Sequence, residues 1–149
     1  QAPQIVMEEI ATSLQEALSL LEREIKDRMP TGATGLMRGS VTHKLIAQAR
    51  GQEIAGKVFS PLNYAAPVEL GTKPHFPPIA PLRDWVEKKL GLSKSESRSV
   101  AFLIARKIAK KGTKPQKHFE TGFRDNAAQV NAILGRGLAR IRARLMGEK

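Results

Sequence analysis

The sequence predicts an α+β fold: a small antiparallel β-sheet with a long N-terminal and a long C-terminal helix packed on it. Three observations carry this. Apolar residues recur at helical steps of three to five along both ends of the chain. Between residues 40 and 60 the pattern shortens toward alternation on either side of Arg50-Gly51-Gln52, as in a hairpin. Prolines and glycines then cut the middle of the chain into short pieces. At 149 residues the chain is expected to be a single domain, residues 1–149, able to bury about two thirds of its unfolded surface.

The first helix is expected over residues 4–28, with the stripe Ile5, Ile10, Leu14, Leu18, Leu21 and Ile25. Glu8, Glu9, Glu16, Glu22 and Glu24 dominate its polar side, and Pro30 and Gly32 end it. Residues 30–39 are rich in Gly, Thr and Pro and read as a loop. Strands follow over 40–48 and 53–60, giving a hairpin at 40–60; the run Leu45-Ile46-Ala47 predicts one end covered on both faces. Residues 63–71 fit either a short helix or a bent strand, with Pro67 inside.

The segment His75-Phe76-Pro77-Pro78-Ile79-Ala80-Pro81 is too proline-dense for a regular element, so 73–81 is expected as a long loop. A helical part covers 81–111. Pro81 opens a short helix that carries Trp85 and stops at Gly91. Ser93 to Ser97 offer N-caps for the next, about 97–110, with Val100, Leu103, Ile104 and Ile108 as its core side and Gly112 as its end. The last helix is expected over 123–146, with an apolar seam of Phe123, Ala127, Val130, Leu134, Leu138, Ile141 and Leu145. Gly135 and Gly137 each cost it about 1 kcal/mol relative to Ala and mark a place where it can bend. Gly71-Thr72-Lys73-Pro74 and Gly112-Thr113-Lys114-Pro115 form a near-repeat, read as recurring turn chemistry because their flanks differ.

Charge is unevenly placed. Residues 1–87 hold 9 Lys/Arg and 10 Asp/Glu, whereas residues 88–149 hold 16 Lys/Arg and 4 Asp/Glu, so the whole +11 excess lies in the second stretch. Such asymmetry suits a polyanion or an acidic protein surface, and equally a solvated helix face. The basic set is Lys107, Lys110, Lys111, Lys114, Lys117, Arg136, Arg140, Arg142 and Arg144. Aromatic interleaving is absent, since Phe119 and Phe123 read as core, so any nucleic-acid contact would be with phosphates.

The sequence offers no reactive constellation, and no enzyme activity, cofactor or metal is expected. Cysteine is absent, which excludes disulfides and thiolate metal sites. No stretch nears the roughly 18 apolar residues of a membrane span. His43, His75 and His118 lack the spacing of a helical metal pair. Asp84 and Glu87 share a helix face, where solvation or pairing with Lys88 explains them. Glu69, beside Gly71 and Thr72 in a tight turn, reads as structural.

Two motifs carry a resemblance. One is Thr34-Gly35-Leu36-Met37-Arg38-Gly39-Ser40-Val41, after a long helix and Pro30; the other is Tyr64-Ala65-Ala66-Pro67-Val68-Glu69-Leu70-Gly71-Thr72. In this order, and over about residues 30–124, the chain resembles the small tail-component or tail-completion family of long-tailed, lambda-like bacteriophages. Met37 stands where the family has Leu, Pro67 replaces a usual aromatic, and His118 stands where Pro is usual. The resemblance implies a virion protein, assembled in the host cytoplasm, in a homo-oligomeric ring of six copies at the head–tail junction or tail end. It implies neck, connector or tail-tube proteins as neighbours and genomic DNA passing through the lumen. Thr34, Gly35, Arg38, Ser40, Tyr64, Ala65, Glu69, Gly71 and Thr72 are then scaffold residues, and His75, Phe76, Pro77 and Pro78 a subunit-interface loop. The acidic first helix is expected to meet the basic last helix of its own chain or of a neighbour. Lys107, Lys110, Lys111, Lys114, Lys117, Arg136, Arg140 and Arg144 are the candidates for facing DNA or an acidic partner. The alternative is a free basic protein that binds nucleic-acid backbones without sequence readout.

Overall fold

The computed structural model describes residues 2–32, 35–47 and 53–147; Thr34, Gln48 and the expected hairpin connection Arg50-Gly51-Gln52 lie outside them. The fold is α+β, dominated by helix, with one two-stranded antiparallel sheet among the described residues. The elements are α1 Ala2–Arg28, α2 Leu36–Ser40, β1 Thr42–Ala47, β2 Ile54–Phe59, α3 Ala65–Leu70, α4 Ile79–Leu90, α5 Lys94–Lys111 and α6 His118–Met146. The chain divides into two compact units. Unit 1 holds residues 1–29, 41–60 and 118–149; unit 2 holds 30–40 and 61–117.

Unit 1 is organised on α1, which packs against both strands and against α6. Ser13, Ala17, Leu18, Leu21 and Ile25 are buried along it, and Met29 follows just beyond its end. The strands pair from Thr42 opposite Phe59 to Ala47 opposite Ile54. Leu45 is half-buried but Ile46 is exposed, so the expectation of a doubly covered end fails at Ile46: strict alternation turns it outward. Lys44 and Lys57 sit directly opposite each other, and both ammonium groups lie over the Phe59 ring, at 5.7 and 4.7 Å. That shared ring offsets part of the like-charge repulsion. On the covered face, a Cβ at Gly56 would come within 2.5 Å of Leu18 Cδ1, so the strand lies close on α1 there.

The helices α1 and α6 run antiparallel, since Ser13 lies by Gly137 and Ile25 by Gly122. The buried positions of α6 are Gly122, Asn126, Ile133 and Gly137. The expected seam is therefore rotated by about one residue, roughly 100°. Phe123, Ala127, Leu138 and Leu145 are exposed, while Val130, Leu134 and Ile141 are half-buried. Small residues win the contact because they let two backbones approach. Asn126 is buried without penalty because its amide donates to the Gly122 carbonyl, 2.9 Å away. The helix runs unbroken through Gly135 and Gly137 and begins at His118, five residues earlier than expected.

Unit 2 begins with a single helical turn where a loop was expected. Gly35, at φ +68°, accepts the Gly39 N–H at 2.9 Å, and the Ser40 hydroxyl donates to the Met37 carbonyl at 2.7 Å. The choice left open at residues 63–71 resolves to helix α3; Pro67 falls in its first turn, where its missing N–H has no intrahelical partner to lose. The same rule admits Pro81 into α4, which starts at Ile79 and shortens the expected loop. Gly91 ends α4 in the left-handed conformation. Ser93 and Glu96 then form a full capping box, so α5 starts at Lys94, earlier than expected. Buried on α5 are Ser97, Ala101 and Ala105, whereas Leu103, expected in the core, is exposed; Val100, Ile104 and Ile108 are half-buried.

The near-repeat acquires a structural meaning in unit 2. Thr72 and Thr113 exchange two backbone hydrogen bonds of 3.1 Å, and their hydroxyls pair at 2.9 Å. Gly71 and Gly112 adopt matching conformations, φ +73° and +68°. The two Gly-Thr-Lys-Pro turns are thus joined to each other across an isolated antiparallel bridge. Just beyond, the Gln116 and Lys117 N–H groups donate to the Val68 and Glu69 carbonyls, and Lys117 takes a left-handed φ of 55°. A Cβ at Gly71 would lie 2.6 Å from the Thr113 carbonyl oxygen, and one at Gly112 would strike the Thr72 carbonyl.

Two pairs of substitutions test these packings. Gly135 has open space around it, so Gly135→Ala is expected to stabilise by about 1 kcal/mol through helix propensity. At Gly137 a Cβ would lie 2.9 Å from Ser13 Cβ, so Gly137→Ala is expected to lower the unfolding midpoint despite the same propensity gain. Thermal or urea unfolding distinguishes the two. Gly71→Ala and Gly112→Ala are each expected to destabilise by roughly 1–2 kcal/mol from left-handed strain, with more from the clash, and to speed amide exchange at Thr72 and Thr113.

Candidate functional site

The acidic side of α1 faces the basic side of α6 within one chain. Glu9 receives Arg140 Nε and Arg144 Nη1, both at 2.9 Å. Arg140 also donates to the Ser13 hydroxyl at 3.1 Å, and that hydroxyl donates to the Glu9 carbonyl at 2.8 Å. Glu16 pairs with Arg136 at 3.2 Å, Glu8 with Arg144 at 3.7 Å, and Asp125 of α6 with Arg28 of α1 at 3.5 Å. The expectation that the two terminal helices pair by charge is therefore met inside the chain. Arg136, Arg140 and Arg144, the α6 members of the basic set, belong to this ladder. Glu9 is the centre of it, with its side chain 13% exposed and both oxygens engaged. The Arg140 hydrogen bond first, and the Arg144 hydrogen bond second, hold its carboxyl below the ordinary carboxylate range, against the opposing pull of desolvation.

His43 occupies a second polar contact in unit 1. Its Nδ1 meets the Glu22 carboxylate and its Nε2 meets the Gln15 side-chain amide, while Lys26 pairs with Glu22 from one turn along α1. The Lys26 and His43 contacts keep Glu22 ionised below its ordinary range. These contacts tie strand β1 to helix α1. His75 Nδ1 donates to the Lys73 carbonyl at 2.9 Å, and His118 opens α6. Among the described residues, no group of three or more His, Asp or Glu side chains is placed to hold a metal ion. Asp84 and Glu87 pair with Arg83, not with Lys88.

The motif residues are distributed through unit 2 as framework. Gly35, Arg38 and Ser40 build α2 and its entry, with Arg38 half-buried. Tyr64 precedes α3, Ala65 is buried at its start, and Glu69 is half-buried near its end. Gly71 and Thr72 form one half of the paired turn. In the loop that follows, Pro77 is buried, Phe76 is exposed, and Pro78 caps α4.

Unit 2 also holds most of the net charge. It contains 13 Lys/Arg and 4 Asp/Glu, a net of +9 of the total +11. On α5 and just after it, Lys107, Lys110, Lys111 and Lys114 are exposed, together with Arg98 and Arg106. None of these six forms an ion pair among the described residues. Lys117 differs, since its backbone is tied to α3. A shallow groove of about 640 Å³ lies beside them, lined by Ile79, Arg98, Ser99, Phe102 and Leu103. Phe76 packs edge-on against Phe102, with ring centroids 6.1 Å apart. The groove was not legible in the sequence, because Leu103 at helical spacing reads as core.

No family model matches the chain, and the comparisons with curated proteins and with solved structures returned no match.

The Glu9 ladder has a pH signature. A depressed folded-state pKa stabilises the fold above the ordinary carboxylate range, and that stabilisation is lost as pH falls through the folded value. Glu9→Gln is therefore expected to lower the unfolding midpoint at neutral pH, and to melt like the parent protein in acid. High salt should narrow the neutral-pH difference. Equal melting at neutral pH would show that the ladder contributes nothing.

Proposed function

We propose that this chain is a structural assembly subunit with no catalytic role, and that its particle is the neck or tail of a tailed bacteriophage. The observation that carries the assembly reading is the imbalance in unit 2 between what is buried and what is exposed. Its buried residues are small: Ala65, Pro77, Val86, Ser97, Ala101 and Ala105. Its large apolar side chains face outward, including Leu70 at 73% and Leu103 at 63% exposure, with Leu36, Trp85, Leu90 and Phe102 near half. Exposed apolar surface on this scale is a mark of a chain that finishes burying it against neighbours.

The phage identity rests on the two ordered motifs. On that reading six copies close into a ring at the head–tail junction or tail end, DNA passes through it, and the neighbours are neck, connector or tail-tube proteins. No helix among the described residues is long and apolar enough to cross a membrane.

A second reading, a free protein that binds nucleic-acid backbones, is favoured by one observation, the +9 charge of unit 2 with its unpaired α5 cations. Light scattering and negative-stain microscopy of the pure protein, with and without duplex DNA, separate the two. The assembly reading expects closed oligomers without DNA and weak DNA binding. A monomer or dimer that binds duplex DNA tightly, with affinity falling steeply in salt, would favour the second reading.

A further inference from the structure

We propose that the groove beside the start of α4 on α5 docks an acidic helical segment of another protein, anchored by large apolar side chains. The inference concerns unit 2 alone and does not rest on the phage reading.

Two features sit side by side on α5. Its first half presents the apolar lining, Phe102 and Leu103 with Ile79 of α4, and Arg98 at the rim. Its second half presents Arg106, Lys107, Lys110 and Lys111, all exposed. Ser99, Leu103, Arg106 and Lys110 follow one another at steps of four, three and four, so they share a helix face. From Leu103 to Lys110 is about 10 Å at 1.5 Å per residue. An occupant that matches this face needs an apolar anchor and, about two helical turns away, a run of carboxylates.

Among the described residues, no acid pairs with Arg98, Arg106, Lys107, Lys110 or Lys111 on this surface, and the nearby acids are engaged elsewhere. The only carboxylate on α5 is Glu96, and Ser93 holds it in the capping box. Asp84 and Glu87 on α4 are engaged by Arg83. Charge complementarity therefore calls for an acidic partner. The apolar lining favours a protein segment over nucleic acid as that partner. Ile79 and Leu103 offer nothing to a phosphate backbone, and Phe102 is committed to an edge-on contact with Phe76, which leaves it poorly placed as a base-stacking platform. An amphipathic helix laid in a groove meets both halves at once.

The test uses the whole chain and a fluorescently labelled synthetic helix with leucines spaced four apart in one half and glutamates in the other. Anisotropy is expected to report saturable binding. It should weaken about tenfold or more when the peptide leucines become serine, when the protein carries Leu103→Ser, or when it carries Lys107→Glu with Lys110→Glu. Leu103 and both lysines are exposed, so these variants are expected to melt like the parent, and melting curves verify it. Equal affinity for the serine peptide, or no effect of Leu103→Ser, would overturn the proposal, as would absence of binding. Duplex DNA that displaced the peptide, and itself bound Leu103→Ser protein unchanged, would assign the face to phosphates. Self-association lost in Leu103→Ser without peptide binding would assign the groove to a second copy.

Discussion

Two helices far apart in sequence, α1 and α6, approach so closely that a methyl group at Gly137 would collide with Ser13, and the order of unit 1 follows from that contact. The close approach fixes which side of each helix is buried. It puts Ser13, Ala17, Gly122 and Gly137 inside, where a hydrophobicity pattern would not place them. It also brings the Glu8–Glu9 turn of α1 within reach of Arg140 and Arg144, so the ion-pair ladder is a consequence of the packing as much as a cause. Isolated surface ion pairs are worth little, about 0–1 kcal/mol. This ladder differs in that one largely buried carboxylate accepts two guanidinium groups while Ser13 fixes Arg140 from its other side. With α1 held in this way, its remaining sides receive the hairpin through Leu18 under Gly56 and through the Glu22–His43–Gln15 contacts.

Unit 2 solves the same problem by different means. It has few large side chains inside, so backbone geometry carries much of its order. Two copies of Gly-Thr-Lys-Pro, 41 residues apart, donate to each other's threonine carbonyls, and each needs a glycine because a side chain there would collide with the other copy. The left-handed Gly91 and the capping box at Ser93 lead from α4 into α5, which packs on it, and the buried residues of the pair are Val86 on α4 and Ser97, Ala101 and Ala105 on α5. A framework of turns and small residues leaves the large apolar groups for the surface.

The contrast explains what could be read from the sequence. The long helices, the hairpin and the sites of the breaks were legible because Gly, Pro, caps and apolar period are local signals. The buried faces of α5 and α6 were not. Periodicity weights large residues, and both helices bury small ones; Leu103 and Phe123 then read as core and are exposed. The near-repeat was visible, but that its halves bond to each other needs the fold. Clustered positive charge was visible too, yet sequence gives no account of cancellation. Arg136, Arg140 and Arg144 meet acids about 120 to 135 residues away, a pairing only the antiparallel helices reveal.

That cancellation narrows where a partner can act. Unit 1 carries 12 Lys/Arg and 10 Asp/Glu, nearly neutral, with Arg136, Arg140 and Arg144 already engaged. The long-range field of this chain therefore originates mainly in unit 2, and on α5 most of all. Fields steer an approach but do not select a partner; selection needs a shaped contact that rejects the wrong occupant. On α5 the shape is apolar and the surround is cationic. A bare polyanion would leave the apolar lining uncovered, and an uncharged apolar segment would leave the cations unmatched. A surface with both properties within about 10 Å favours an occupant that carries both, which is why its chemistry can be stated before its identity.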